Sequence, residues 1–273
     1  MKAVTAIGIG LALAGLGLGM SLEGGGFGAL FNIPALLIVL GGTAGATLAG
    51  TSADRFKAIP QLYKKAFQAE EPNLNGRVEL LVSYAERARR EGLLALDEEL
   101  PKLDDEFTRK GMQLVVDGTD PELVRDVLES DIDGMASRHK SAVQPFEKAG
   151  GFAPTMGILG TVLGLVHVLE NLSAPETLGP AISTAFIATL YGVASANVVF
   201  LPVANKLKQL SEAEVELKSL TVEGILAVQA GDNPRVVADK LQTFVPPDQR
   251  TTGEDASQAP QAEEEAPAEA MAA

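Results

Sequence analysis

The stretch GGFAPTMGILGTVLGLVHVLENL, residues 150–172, decides the fold class of this chain. It is long and apolar enough to cross a bilayer, because about 20 helical residues span the roughly 30 Å of hydrocarbon. It nevertheless contains Pro154, two threonines and His167, and its first acid is Glu170 at the far end. The pattern predicts a membrane helix whose polar groups are neutral.

Three further stretches are almost free of charge. Together with the first they predict four membrane spans, at about residues 3–22, 27–50, 151–169 and 180–204. The first span follows Lys2 as a signal peptide would, but it is long, and a second span follows the short turn SLEGGG, which favours a re-entering hairpin. The predicted fold class is therefore all-α: a polytopic membrane protein with four transmembrane helices and a helical cytoplasmic domain.

The distribution of lysine and arginine predicts the orientation. All 22 of these residues lie at the N-terminus, between spans two and three, or after span four. The two other turns, SLEGGG and ENLSAPETLG, contain none. Because positively charged loops stay in the cytoplasm, both termini and the large middle segment are expected to be cytoplasmic.

The middle segment has a helical pattern, since apolar residues recur every three or four residues in GRVELLVSYAERARREGLLAL. Gly92 is expected to end one helix and Pro101 to interrupt the next. Thr119 or Asp120 should cap a helix that begins at Pro121 and runs towards span three.

After span four an amphipathic helix should end at Gly231, and Asp232 or Asn233 should cap a further helix. From Pro246 onward proline, glutamine, glutamate and alanine dominate, a composition typical of disorder. The predicted domains are residues 1–50 (transmembrane helices 1 and 2), 51–148 (cytoplasmic helical domain), 149–204 (transmembrane helices 3 and 4), 205–245 (cytoplasmic C-terminal helices) and 246–273 (disordered acidic tail).

Composition excludes several classes of function. The chain has no cysteine, so a disulfide framework and a Cys-ligated metal site are both excluded. Its 2 histidines, His139 and His167, do not form a zinc-enzyme motif. The net charge of −14 argues against nucleic acid as a partner. We find no nucleophile–base constellation and no phosphate-binding glycine loop, and expect neither enzymatic activity nor a bound cofactor.

The spans are rich in small residues, which let helix backbones approach closely in lipid. Gly15 and Gly19 have GxxxG spacing in span one, and Gly157, Gly160 and Gly164 recur in span three. Packing within the chain is the simpler interpretation for most of them. Their density also favours a tightly packed homo-oligomer.

Three motifs carry a resemblance to a known family. They read APTMGILGTVLGLVHVLENL, LGPAISTAFIATLYGVASANVVFLPVANKLK and GDNPRVVADKLQTFVPP. Over about residues 1–247 the chain resembles the MotA/PomA family, the ring-forming subunits of the bacterial flagellar stator. The related ExbB/TolQ subunits share the last two spans but have one span upstream, whereas two are predicted here.

The resemblance implies a function in the bacterial inner membrane. Family members form a ring of five around two copies of a MotB or PomB partner, which supplies one membrane helix with an acidic residue. Passage of H⁺ or Na⁺ rotates the ring within the lipid and pushes the rotor protein FliG. An ExbB/TolQ-like energiser of the outer membrane is the alternative, and a passive channel or transporter is a weaker one, because paired broken spans and a charged midplane site are absent from the sequence.

The spans themselves contain no Asp, Glu, Lys or Arg. An ion-driven machine needs a titratable or coordinating group at membrane depth, so the acid must come from another chain. The resemblance implies that Thr161 and Thr189 face that acid along the ion path, where hydroxyl oxygens can bind sodium or order water. The structural alternative is that each hydroxyl bonds to the carbonyl four residues earlier.

Two prolines match family positions near the cytoplasmic ends of their spans, Pro154 in span three and Pro202 in span four. Proline removes a helical hydrogen bond and permits a kink, and the resemblance implies that these kinks couple ion passage to the cytoplasmic part. A static kink is the alternative. His167, near the outer end of its span, is interpreted as an interfacial polar residue rather than a proton relay.

The segment ERARREGLLALDEEL is the expected rotor contact. Family members carry an arginine and, eight residues later, a glutamate that meet opposite charges on the rotor. Alignment on Gly92 gives Arg89 and Asp97, whereas alignment on the glutamate gives Arg90 and Glu98. The alternative is an ordinary solvated helical face.

Overall fold

The computed structural model describes residues 2–22, 24, 27–69, 72–173 and 175–250. The predicted tail lies outside the described residues from residue 251 onward. The α-helices are α1 (Lys2–Leu22), α2 (Ile33–Ala49, with a π-helical segment Leu37–Gly41), α3 (Ala53–Lys57), α4 (Ile59–Gln68), α5 (Leu74–Glu91), α6 (Glu106–Val116), α7 (Pro121–Glu170), α8 (Pro175–Ala194), α9 (Leu201–Ala230) and α10 (Pro234–Gln242). A π-helical segment, Ser195–Phe200, joins α8 to α9, and short 3-10 turns cover Phe27–Leu30, Leu93–Leu96 and Leu100–Lys102.

The described residues contain no β-strand, so the all-α prediction is confirmed. The predicted spans coincide with α1, α2, the second half of α7, and α8 with the start of α9. By length and composition, the helices Pro121–Glu170 and Leu178–Ala230 can cross a membrane, and Ala6–Leu22 and Ile33–Ala49 are shorter apolar helices. The predicted domain ranges describe topology across a membrane, which contacts within the chain do not test, and they stay predictions.

Local chemistry explains where the polar helices begin and end. The Asn73 side chain accepts from the backbone N–H of Gly76 at 3.0 Å and caps α5, which ends at Gly92 with φ 87°. Of the two candidate caps for α7, Asp120 is used: its carboxylate accepts from the N–H of Glu122 at 2.9 Å. The helix then continues unbroken into span three, as predicted.

The predicted helix boundaries near the C-terminus are confirmed in the same way. Gly231 has φ 72°, a left-handed conformation that favours glycine, and it follows the last residue of α9. Asn233 rather than Asp232 caps α10, because its side chain accepts from the N–H of Arg235 at 3.0 Å. Pro101 lies in the short 3-10 turn Leu100–Lys102, between α5 and α6.

The chain divides into two compact units. Of the described residues, unit 1 comprises those within 1–72 and 126–219, and unit 2 comprises those within 73–125 and 220–250. One core of unit 1 joins α4, α7 and α9, with Tyr63 meeting the ring of Phe146 edge-on at a centroid distance of 5.1 Å. Its buried members are Ala66, Val143, Phe146, Val203, Ala204 and Leu207.

In unit 2, α10 packs along α5. Gly224 of α9 lies against Leu81 of α5, and a Cβ on this glycine would come 2.5 Å from that leucine side chain. The close approach buries a set of large apolar side chains, which stabilises the unit. These include Leu81, Leu96, Met112, Val115, Leu220, Ile225 and Leu241.

Within the predicted spans, α7 and α8 meet through small residues. A Cβ added to Gly160 would lie 2.6 Å from the Cβ of Ala188, and a Cβ added to Gly164 would lie 2.7 Å from the Cβ of Ala185. The prediction that span-three glycines serve packing within the chain is therefore confirmed at these positions. The α1 glycines differ, since a Cβ added to Gly8, Gly10, Gly15 or Gly19 would meet no atom of another described element within 4 Å.

Candidate functional site

Thr161 of α7 and Thr189 of α8 lie side by side, and their hydroxyl groups are hydrogen-bonded to each other. The Thr161 hydroxyl is also 3.1 Å from the carbonyl oxygens of both Gly157 and Ala185. Both threonines are half-buried. Two hydroxyl and two carbonyl oxygens thus converge in a region that contains no formal charge.

The adjacent glycines determine this arrangement. A Cβ on Gly157 would stand 3.2 Å from the Cα of Thr189 and 3.0 Å from the carbonyl oxygen of Ala188. A side chain at this position would require the backbone of α8 to shift by a few tenths of an ångström, so glycine permits the approach that brings the two hydroxyl groups into contact. The packing of α7 on α8 therefore assembles the oxygen cluster.

The geometry accommodates both interpretations of these threonines. Thr161 does reach the carbonyl four residues earlier, that of Gly157. A hydroxyl oxygen keeps two lone pairs while its hydrogen is donated, so this bond leaves Thr161 able to accept from water or to coordinate a cation. Hydroxyl and carbonyl oxygens are the ligand types that hard cations prefer. The role of the pair on an ion path stays a prediction.

The two predicted coupling prolines have different surroundings. Pro154 is in the interior of the continuous helix α7. Pro202 is the second residue after the π-helical segment Ser195–Phe200, at whose end the N–H of Leu201 bonds to the carbonyl of Ala196, five residues back. The wider turn relieves the clash that a proline ring makes with the preceding turn of an α-helix. Whether either proline couples ion passage to movement stays a prediction.

His167 lies exposed near the end of α7, with Nδ1 4.0 Å from the Glu170 carboxylate. It borders a groove of about 550 Å³ that is also lined by Gly160, Glu176 and Thr184. Thr184 anchors the start of α2 to α8, because it accepts from Asn32 Nδ2 at 2.7 Å. The Tyr191 hydroxyl adds to this anchor by donating to the Leu30 carbonyl.

The four predicted rotor-contact residues all lie exposed in unit 2. Arg89 and Arg90 are in the last turn of α5, and Asp97 and Glu98 follow the turn Leu93–Leu96. Arg90 is 3.9 Å from Glu86 in an exposed ion pair. In the described part of the chain no ion pair involves Arg89 or Asp97. Their contact with a rotor stays a prediction.

The sequence interpretation missed Arg87, which organises the acids of this surface. Its guanidinium lies 2.5 Å from Glu99, 3.1 Å from Glu91 and 3.6 Å from Glu98. Hydrogen bonds from Lys102 and Arg87 lower the pKa of Glu99. Glu99 and Glu91 in turn raise the pKa of Arg87. Arg89 and Arg90 follow Arg87 within three residues, so the sequence alone did not show which of these arginines the acids would share.

Two further charge clusters hold unit 2 together. Arg77 forms an ion pair with Asp105, which also caps α6 by accepting from the N–H groups of Phe107 and Thr108. Glu223 lies 2.8 Å from Arg125 and 2.6 Å from Lys240. Burial acts to raise the pKa of both acids, but hydrogen bonds from these partners outweigh it and the pKa values are lowered.

Comparison with known proteins gives consistent matches. The profile of the MotA/TolQ/ExbB proton channel family matches residues 99–219, and that of the motility protein A N-terminal region matches residues 6–92. Motility protein A of Bacillus subtilis is 36% identical over 247 residues, which is 90% of this chain and 92% of that protein. The uncharacterized protein YtxD of the same organism is 41% identical over 219 residues, 80% of each chain.

A solved structure is similar over nearly the whole fold. The flagellar MotAB stator complex from Bacillus subtilis contains a chain with 38% sequence identity and a TM-score of 0.83. The similarity covers 88% of this chain and 95% of that one. The structural match and the sequence matches therefore cover the same part of the chain, which also contains the three motifs.

Proposed function

The chain belongs to the MotA/TolQ/ExbB proton channel family, in its motility protein A branch, and from this membership we propose that it is the ring-forming subunit of a flagellar stator. In this role it couples cation flow across the membrane to torque on the rotor. The observation that carries the proposal is the match to a MotAB stator chain over 88% of this chain at 38% identity.

The partner follows from what the chain lacks. Its predicted spans contain no ionisable Asp, Glu, Lys or Arg, yet ion coupling requires such a group at membrane depth. A MotB-type chain with one membrane helix and an acid supplies it. Gly8, Gly15 and Gly19 share one face of α1, and a Cβ added to any of them would meet no atom of another described element within 4 Å, which is consistent with a multimeric ring that packs against this face.

The ion path runs past Thr161 and Thr189 in this proposal. Their convergent oxygens supply neutral ligands beside the partner's acid, and the transported ion is H⁺ or Na⁺. The chain spans the bacterial inner membrane with both termini in the cytoplasm, as the distribution of its basic residues favours. The exposed residues Arg89, Arg90, Asp97 and Glu98 then face the rotor protein FliG.

An ExbB/TolQ-like role is the second candidate, because one profile covers both branches. The match of residues 6–92 to the motility protein A N-terminal region favours the stator. The two roles differ in their output, which is rotation in one case and energised transport at the outer membrane in the other.

Deletion of the gene in its own host tests the proposal. We expect cells that still build flagella but no longer rotate them, and rotation that returns when the full chain is expressed together with its single-span partner. The Thr161→Ala/Thr189→Ala variant is the matched control for ion coupling, because it is expected to enter the membrane without restoring full speed. Normal rotation in the deletion strain, with a defect in outer-membrane transport, would favour the second role.

A further inference from the structure

His139 joins α7 to α9 outside the predicted spans. Its Nδ1 lies 3.0 Å from the hydroxyl oxygen of Ser211, so a hydrogen bond links the two helices within unit 1. The residue is half-buried. Histidine is the side chain whose ordinary pKa lies between pH 5 and pH 8. A group that titrates near neutral pH therefore forms part of a contact between helices.

The surroundings of His139 favour its neutral form. Burial, the largest effect, lowers the pKa of His139, and the positive charges of Lys65, Lys218 and Arg138 lower it as well. The negative charge of Glu214 acts in the opposite direction. Its carboxylate, however, lies 4.0 Å from the ammonium groups of both Lys65 and Lys218, which offset its charge. A proton on the imidazole therefore adds a cation beside three others.

A groove of about 370 Å³ borders the same contact. Besides His139 and Ser211 its lining contains two lysines and two glutamates, which are Lys140, Lys208, Glu147 and Glu212. These charges balance in number, and Lys208 forms an ion pair with Glu147, so the groove offers an imidazolium little net attraction. Because His139 is only half-buried beside this groove, protons from the solvent can reach it.

The contact belongs to the same helix pair as Thr161 and Thr189. One helix is α7, and the other is the continuous helix Leu178–Ala230, which contains Thr189 and Ser211. His139 lies 22 residues before Thr161, and Ser211 lies 22 residues after Thr189. The two hydrogen-bonded pairs are therefore matched along antiparallel helices, about 33 Å apart at 1.5 Å per residue.

Close packing connects the two pairs. Between them, a Cβ added to Gly150 of α7 would lie 2.5 Å from the side chain of Leu201. Phe146 of α7 and Val203 of α9 belong to the same buried core. Closely packed interiors transmit strain because they have few voids to absorb it. A change in the separation of α7 and α9 at His139 should therefore alter their packing near the spans.

We propose that His139 makes this helix pair a sensor of cytoplasmic pH. When the pH falls, the imidazole takes up a proton from the solvent, and α7 loosens from α9 beside Ser211 so that water can solvate the new cation. The loosening alters the helix crossing that holds Thr161 and Thr189 together and slows rotation. The effect on rotation and the cytoplasmic location rest on the proposed function, whereas the proton-linked loosening does not.

Deuterium exchange at the imidazole C2 position, read by mass spectrometry between pH 5 and pH 8, tests the protonation step in the unmodified complex. We expect the midpoint for His139 to lie below that of the denatured chain, which should be about 6.5. The second histidine, His167, is read from a separate peptide in the same sample. A His139 midpoint at or above the denatured value would overturn the proposal.

The loosening is tested by melting temperature. Because the pKa of His139 is lowered in the fold, the unfolded chain takes up the proton first, and stability falls as the pH drops from above about 6.5 to the folded value. Between pH 7.5 and pH 5.5 the wild type should lose about 1–3 °C. His139→Gln keeps a side chain that can bond to Ser211 but cannot titrate, so it should lose less. His167→Gln is the matched control and should follow the wild type.

Motor speed at lowered cytoplasmic pH tests the regulation. A permeant weak acid lowers that pH in cells that rely on this chain and its partner, and we expect the His139→Gln motor to lose less speed than the wild type and the His167→Gln motor. Any fall in the ion gradient is common to all three strains, so the difference isolates His139.

Two failures can be distinguished. Parallel melting curves for the wild type and His139→Gln, or equal losses of speed in the two strains, would overturn the sensor and leave the stator role intact. Failure of the unmodified chain to support rotation would instead contradict the proposed function. The exchange and melting measurements would still decide whether protonation of His139 loosens the helix pair.

Discussion

Gly157 and Gly192 face each other where α7 crosses α8, and a side chain at either position would press on the backbone of the other helix. A Cβ on Gly192 would lie 2.9 Å from the Cα of Gly157 and 2.5 Å from the carbonyl oxygen of Ala153. Both neighbours are backbone atoms, which do not move aside as a flexible side chain would. This crossing lies directly beside Thr161 and Thr189, so it controls the separation of their hydroxyl groups.

Gly192→Ala should therefore destabilise the chain by about 1–3 kcal/mol or prevent its assembly, because the added methyl group overpacks a backbone contact. Gly151→Ala is the matched control: it is a glycine of α7 where an added Cβ meets no atom within 4 Å. The measurement is the melting temperature of the detergent-solubilised chain by circular dichroism. Equal melting temperatures for the two variants would contradict the close crossing.

Acid should weaken unit 2 through Asp105. Although burial acts to raise the pKa of Asp105, hydrogen bonds from Thr108 and Arg77 lower it. A carboxylate whose pKa is lower in the folded state stabilises the fold at pH values above its unfolded pKa of about 3.9, and this contribution is lost as the pH falls through the folded value.

Thermal melts between pH 7 and pH 3 should reveal that loss. Asp105→Asn keeps a side chain that can cap α6 but removes the charge, so the variant should be less stable than the wild type at pH 7. Its melting temperature should also fall less on acidification. Glu99 and Glu223, whose pKa values are lowered in the same direction, remain in the variant and preserve part of the pH dependence. Parallel pH curves for the two proteins would contradict the role of Asp105.

Charge reversal at Arg89, Arg90, Asp97 or Glu98 should reduce torque without reducing the amount of chain in the membrane. All four are exposed and lie outside the spans. The greater loss is expected at Arg89 and Asp97, because Arg90 and Glu98 already have intramolecular partners within 4.0 Å. Bead assays of single motors measure the torque, and immunoblots of membranes measure the amount.

Arg235→Glu is the control for this series, since it reverses an exposed charge on a different helix, α10. A reversed charge on the rotor should restore motility to the matching variant if the contact is electrostatic. Loss of the chain from the membrane in the variants, rather than loss of torque, would assign these residues a structural role.

The sequence predicted features that depend on one segment at a time. Glycine at positive φ and a capping side chain are local requirements, and Gly92, Asp120 and Asn233 satisfy them as expected. Only the structure distinguishes Thr119 from Asp120 as the cap, because either side chain can accept a hydrogen bond from a backbone N–H of the first helical turn.

Features that depend on two segments were harder to predict. The three acids around Arg87 come from α5 and from the turns that follow it, so only the fold reveals which arginine they share. The buried hydroxyls of Thr43 and Thr47 have the spacing of an ordinary helix face. Their burial without a hydrogen-bond partner among the described residues depends on how neighbouring helices pack, which periodicity does not identify.

The pair Thr161 and Thr189 offers the most direct test of ion coupling. Their hydroxyl oxygens bond to each other and approach two carbonyl oxygens, so each alanine variant removes one member of a connected cluster. Alanine is small and favours helix, and the crossing of α7 on α8 depends on neighbouring glycines rather than on these side chains. We therefore expect Thr161→Ala and Thr189→Ala to assemble normally and to rotate more slowly.

The dependence of motor speed on ion concentration distinguishes a sodium-driven motor from a proton-driven one. In a sodium-driven motor the loss should be greatest at low sodium, because a missing oxygen ligand weakens binding and excess sodium compensates for it. In a proton-driven motor, wild-type speed should not depend on the sodium concentration and should follow the proton gradient. The threonine hydroxyls then act only by ordering water. Speed is measured against sodium at fixed pH for the wild type and both variants. If both variants rotate normally at every sodium and proton level, the threonines only bond within their own helix pair, and the ion path lies elsewhere in the complex.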